Sequence, residues 1–153
     1  MMGVQKTYNE IIAFAIDKEQ EAVEFYGDVA DRAQSPAGKI LFKELADMET
    51  GHKTKLEKLD MGYFSSQDLN QPEDLKIADY LVDVELTPDA TYQDIVLFAA
   101  KREKAAFDLY SDLARLYVTI PAIKQIFDVL AQEEAYHKLK LEREYDEVVY
   151  KED

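Results

Sequence analysis

Cysteine and tryptophan are absent from this 153-residue chain, and histidine occurs only twice. Without cysteine there can be no disulfide, no thiolate metal site and no cysteine nucleophile. A built-in tetracysteine iron centre or iron–sulfur cluster is excluded for the same reason. Glycine (5) and proline (4) are scarce, and the prolines fall at or beyond the ends of the periodic stretches, so long helices are expected. Basic residues are in deficit, 18 against 32 acidic ones, for a net charge of −14. That balance argues against nucleic acid and against an anionic membrane as partners. No hydrophobic run approaches the roughly 18 residues of a membrane span, and the N-terminus lacks a signal peptide's basic and apolar regions. A soluble cytoplasmic protein is the expectation.

What is present is helical periodicity. Four stretches carry it, at about residues 8–33, 36–59, 92–117 and 121–148. Thr7-Tyr-Asn-Glu10 reads as a capping box, and Thr91-Tyr-Gln-Asp94 as a weaker relative of one. Ser35-Pro36 is an N-cap followed by the favoured first-turn proline, and Pro121 opens the fourth stretch. Only short turns separate the first stretch from the second and the third from the fourth, so each pair should be an antiparallel hairpin. Asp60 to Thr91 is long for a connection. Helices of about 24 residues are roughly 36 Å long, and a crossover must travel that length to start the third helix at the far end. Within it, Leu75 to Leu81 is a candidate short helix. The reading is one domain over residues 1–153, all-α, a four-helix bundle of two hairpins joined by a crossover at about 60–91.

Both histidines follow a glutamate by three residues, in Glu49-Thr-Gly-His52 and Glu134-Ala-Tyr-His137. Glutamate is about a tenth of the chain, so the double coincidence has a chance probability of roughly 1 in 100. The spacing sets a carboxylate beside an imidazole, one helical turn apart. A single such pair is more often an exposed pair on a polar face. Here the surroundings argue otherwise, because the hairpins are copies of one another. A shift of 84 aligns Phe14, Glu19, Ala22, Tyr26 and Asp28 with Phe98, Glu103, Ala106, Tyr110 and Asp112. A shift of 85 aligns Phe42, Leu45, Glu49, His52 and Leu56 with Phe127, Leu130, Glu134, His137 and Leu141. Each copy alone would expose an apolar face, so the two should pack together with approximate two-fold symmetry.

Stepping three and four residues alternately traces an apolar seam on each helix. The seam is broken near its middle by Glu19, Glu49, His52, Glu103, Glu134 and His137, with Tyr26 and Tyr110 beyond. Glu21 and Glu24 lie off the seam and read as surface residues. A buried, unpaired carboxylate costs several kcal/mol even after relaxation, and four close together would also repel. They must take up protons or meet cations. Two divalent ions balance four carboxylates, and the mixed oxygen and imidazole donors suit iron or manganese, with zinc compatible. Tyr26 and Tyr110 follow Glu19 and Glu103 by seven residues on the same face. They read either as core packing or as hydrogen-bond partners of ligand carboxylates.

A glutamate from each of two helices, plus Glu-x-x-His from each of the other two, is the pattern of ferritin-like di-iron and di-manganese bundles. Within that group the chain resembles the rubrerythrins, through Glu19-Gln-Glu-Ala-Val-Glu-Phe-Tyr26, Glu103-Lys-Ala-Ala-Phe-Asp-Leu-Tyr110 and the two Glu-x-x-His helices. The resemblance implies a ferritin-like fold with two iron ions held by Glu19, Glu49, His52, Glu103, Glu134 and His137. It also implies bridging by Glu49 and Glu134, and supporting roles for Tyr26 and Tyr110. By the same resemblance the protein is a homodimer that reduces hydrogen peroxide with electrons from an external donor, such as a rubredoxin-like protein. Two departures are visible. Rubrerythrins usually carry a rubredoxin domain, which this sequence lacks, and they commonly place an extra glutamate ligand where Ala106 stands. Two alternatives follow: a ferroxidase or iron-handling protein that uses oxygen, and a non-enzymatic acidic helical interaction module.

Overall fold

The computed structural model describes residues 6–33, 35–60, 72–73, 75, 77–82 and 85–152. It is all-α apart from two paired dipeptides. The helices are α1 (Tyr8–Arg32), α2 (Pro36–Asp60), α3 (Tyr92–Leu116) and α4 (Pro121–Glu152). Their limits follow local chemistry. At the start of α1, the Glu10 amide donates to Thr7 Oγ1 at 3.3 Å and the Thr7 amide donates to Glu10 Oε1 at 3.1 Å. The α3 start repeats this box with Thr91 and Asp94, at 3.1 and 3.0 Å. The shorter aspartate therefore closes the box as fully as the glutamate does. Ser35 Oγ accepts from the Gly38 amide at 3.0 Å, and Pro36 and Pro121 each occupy the first helical position, where no amide donor is required.

The chain divides into two compact units, Met1–Asp79 and Tyr80–Asp153, each built on one hairpin. In the first, α1 packs along α2 and the periodic seam is buried: Ile12, Ala15, Ala22, Tyr26 and Val29 on α1, Phe42, Leu45, Leu56 and Leu59 on α2. Side chains the size of Val29, Leu45 and Phe42 each contribute about 1.5–3 kcal/mol when withdrawn from water. In the second, α3 packs along α4 with Val96, Ala99, Tyr110, Leu113 and Tyr117 buried on one helix and Ile123, Phe127, Leu130 and Leu141 on the other. The repeat is visible in the contacts. Tyr26 meets Phe42 with ring centroids 5.9 Å apart, and Tyr110 meets Phe127 at 6.1 Å. Lys18 lies over the Phe14 ring as Arg102 lies over Phe98, at 5.6 and 5.7 Å.

Three features depart from strict repetition. Antiparallel strands β1 (Lys6–Thr7) and β2 (Pro72–Glu73) pair, Lys6 opposite Glu73, and so tie the start of α1 to the connecting segment. The candidate short helix within 75–81 is a single 3-10 turn, Ile77–Tyr80. The Tyr80 hydroxyl donates to Asp112 Oδ2 at 2.6 Å, fastening that turn to α3. Much of the expected crossover, residues 61–71 with Gly62, lies outside the described residues. Among the described residues, no helix is long and apolar enough to cross a membrane.

Candidate metal centre

The six ionisable residues singled out by the seam are all buried, none more than 2% exposed. In the first unit α1 supplies Glu19 and α2 supplies Glu49 and His52. His52 Nδ1 lies 3.1 Å from Glu49 Oε1 and 3.5 Å from Glu19 Oε2. The second unit repeats the triad: His137 Nδ1 lies 3.4 Å from Glu134 Oε1 and 3.7 Å from Glu103 Oε2. In each triad, one ligand atom per residue falls within 4.8 Å of the others.

These spacings fit a metal better than they fit hydrogen bonds. Protein N–H···O contacts run to about 3.2 Å, and only the His52–Glu49 spacing is that short. A cation about 2.1 Å from nitrogen and oxygen ligands holds neighbouring donors about 3.0 Å apart in an octahedron and about 3.4 Å apart in a tetrahedron. The observed values lie around those edges. Each triad also carries two carboxylates and one imidazole, so a single divalent cation neutralises it.

Tyr26 and Tyr110 are buried on the same seam. Helical side chains lean toward the N-terminus of their helix, so each phenol covers the preceding turn, where Ala22 and Ala106 stand between it and the glutamate. Ala22 is buried and Ala106 is half-buried. Two polar contacts, one beside the first triad and one at the start of α3, were not evident in the sequence. Lys53 Nζ donates to Gln20 Oε1 at 2.8 Å, between residues directly following His52 and Glu19. At the start of α3, the Tyr92 hydroxyl is hydrogen-bonded to Glu144. Burial, then the Glu144 charge and that hydrogen bond, push its pKa well above the ordinary tyrosine value. The 84-residue repeat pairs the half-buried Tyr92 with the buried Tyr8 and was the available signal for a tyrosine withdrawn from solvent there. Its glutamate partner had no counterpart to point to it, since Leu59 occupies the matching place.

No family model and no curated protein matches the chain. Among solved structures it is similar to a hypothetical protein from Pyrococcus furiosus, at 27% identity and a TM-score of 0.74, over 93% of this chain and 90% of that one. The likeness spans both hairpins, and the fold class is an all-α four-helix bundle. The buried glutamates and histidines can hold a metal ion.

Proposed function

We propose that the two triads together form a di-metal carboxylate centre of ferritin-like, rubrerythrin type, and that the protein is a non-haem di-iron oxidoreductase reducing hydrogen peroxide. The observation that carries this reading is the pair of buried Glu-Glu-His triads, each with a histidine Nδ1 turned toward two carboxylates. Glu19, Glu49 and His52 would hold one metal and Glu103, Glu134 and His137 the other. A redox-active metal pair supplies the two electrons that, with two protons, convert peroxide to two water molecules.

The rest is the chain's own contribution. The buried seam excludes bulk water, which strengthens every charge interaction within it. Helical positions hold the donors in place before any ligand arrives, and Tyr26 and Tyr110 close the turn beside Glu19 and Glu103. With six protein ligands for two ions, coordination positions remain for a small oxidant. By the same resemblance, electrons would come from an external donor, because these 153 residues hold no cysteine for a rubredoxin-like centre. The test is anaerobic: ferrous loading, one equivalent of peroxide, and near-ultraviolet absorbance. Peroxide consumption no faster than by free iron overturns the peroxidase reading.

Ala106 favours a second reading. Where rubrerythrins commonly carry a further glutamate, this chain has a small, half-buried residue. A site of six ligands suits a ferroxidase that uses oxygen and passes iron onward. Faster oxidation by oxygen than by peroxide, with more than two irons turned over per chain, would select it.

A further inference from the structure

The hairpins are copies in their ligands but not around them. In the first, Lys53 and Gln20 join α2 to α1 through the half-buried 2.8 Å hydrogen bond beside His52 and Glu19. Gln20 is itself braced along α1, donating to Glu24 Oε1 at 3.1 Å. The matching positions of the second hairpin are Lys138 and Lys104. Two ammonium groups cannot bond each other. Each turns instead to its own helix, Lys104 to Asp108 at 2.9 Å and Lys138 to Glu142 at 3.0 Å. The Lys53–Gln20 clasp across α1 and α2 is thus replaced by two contacts that each stay within one helix.

Three further differences point the same way. Donor spacings are 3.1 and 3.5 Å in the first triad and 3.4 and 3.7 Å in the second. Ala22 is buried beside the first glutamate, whereas Ala106 beside its counterpart is half-buried. Lys104 also brings a cation next to Glu103 where Gln20 is neutral next to Glu19, and a nearby positive charge opposes a divalent ion.

We infer that the two metal positions are inequivalent: the Glu19–Glu49–His52 triad loads first and retains its metal, and the Glu103–Glu134–His137 triad is the exchangeable position. Gln20 and Lys53 are positioning residues, acting by holding the ligand-bearing turns of α1 and α2 together. This rests on the reading of the triads as metal sites.

Metal-stripped full-length protein is titrated anaerobically with Mn2+, with the free ion counted by electron paramagnetic resonance and heats followed by calorimetry. Two steps of one ion each are expected. His52→Ala should remove the tighter step and His137→Ala the weaker. Gln20→Lys, which gives α1 the residue that α3 carries, should weaken the tighter step about tenfold, the low end of what changes behind a ligand cost. Lys104→Gln, which lets Lys138 find an amide acceptor, should strengthen the weaker step by a similar factor. Circular dichroism confirms that each variant is folded. Equal affinities for both ions, a Gln20→Lys protein with an unchanged tighter step, or loss of the weaker step in His52→Ala overturns the inference while leaving the metal reading intact. A wild-type chain that binds no Mn2+, Fe2+ or Zn2+ overturns both.

Discussion

His52 turns its Nδ1 atom toward Glu49, one turn earlier on the same helix, and the two ligand atoms stand 3.1 Å apart. The same helix turn holds both residues, so their spacing survives any shift of neighbouring helices. Glu19 must instead reach across from α1, and its 3.5 Å spacing to the same nitrogen depends on how the hairpin packs.

Removing a ligand separates metal binding from folding. Glu134→Ala should abolish stoichiometric metal at its triad, measured by plasma mass spectrometry on protein purified from its natural host. Helicity by circular dichroism should remain, because α4 is held by Ile123, Phe127, Leu130 and Leu141 on either side of the gap.

Metal should stabilise the fold. A cation present at a hundredfold over its dissociation constant adds about 2.7 kcal/mol. For a chain of this size, that moves the melting midpoint by roughly 5–10 °C. Chelation should reverse the shift in differential scanning calorimetry. An unchanged midpoint, with no metal in the purified protein, would favour a non-enzymatic helical module whose buried polar groups serve each other.

Phe127 touches both Tyr110 and Tyr117, at 6.1 and 6.4 Å between ring centroids, and is fully buried. Phe127→Ala should cost about 3–5 kcal/mol through lost burial and a residual cavity. Urea denaturation measures it. Thr91→Ala, at the α3 capping box, should cost only about 1 kcal/mol.

Tyr92 predicts an alkaline weakness. Burial and Glu144 raise the pKa of its hydroxyl in the folded state above that of the unfolded chain. Its contribution is therefore fully present below about pH 10, the ordinary tyrosine value. Above that pH the unfolded chain releases a proton that the folded one keeps, so stability falls as pH rises. Tyr92→Phe should flatten this slope, seen as a smaller drop in urea midpoint between pH 9 and pH 11 than in the wild type.

Much of the fold was legible because helix limits are local chemistry. Thr7, Thr91, Pro36 and Pro121 mark the starts of helices by satisfying or lacking amide donors, and no distant residue alters that. The triads were legible for a different reason: six ionisable residues on an apolar seam conflict with burial unless something neutralises them. The β1–β2 pairing and the Tyr80–Asp112 anchor were not legible. Both join residues far apart in sequence, and one partner of each lies in the connecting segment, outside the four periodic stretches.

Periodicity along each helix, and the repeat between the hairpins, determine from the sequence alone that there are four long helices, two matched hairpins and a carboxylate–imidazole set on the buried faces. Only the tertiary structure decides that each histidine presents Nδ1, that Lys53 finds Gln20 while Lys104 and Lys138 turn away, and that the two triads differ in spacing. A side-chain rotamer is chosen by neighbours on another helix, and that choice is not written in the order of residues on its own.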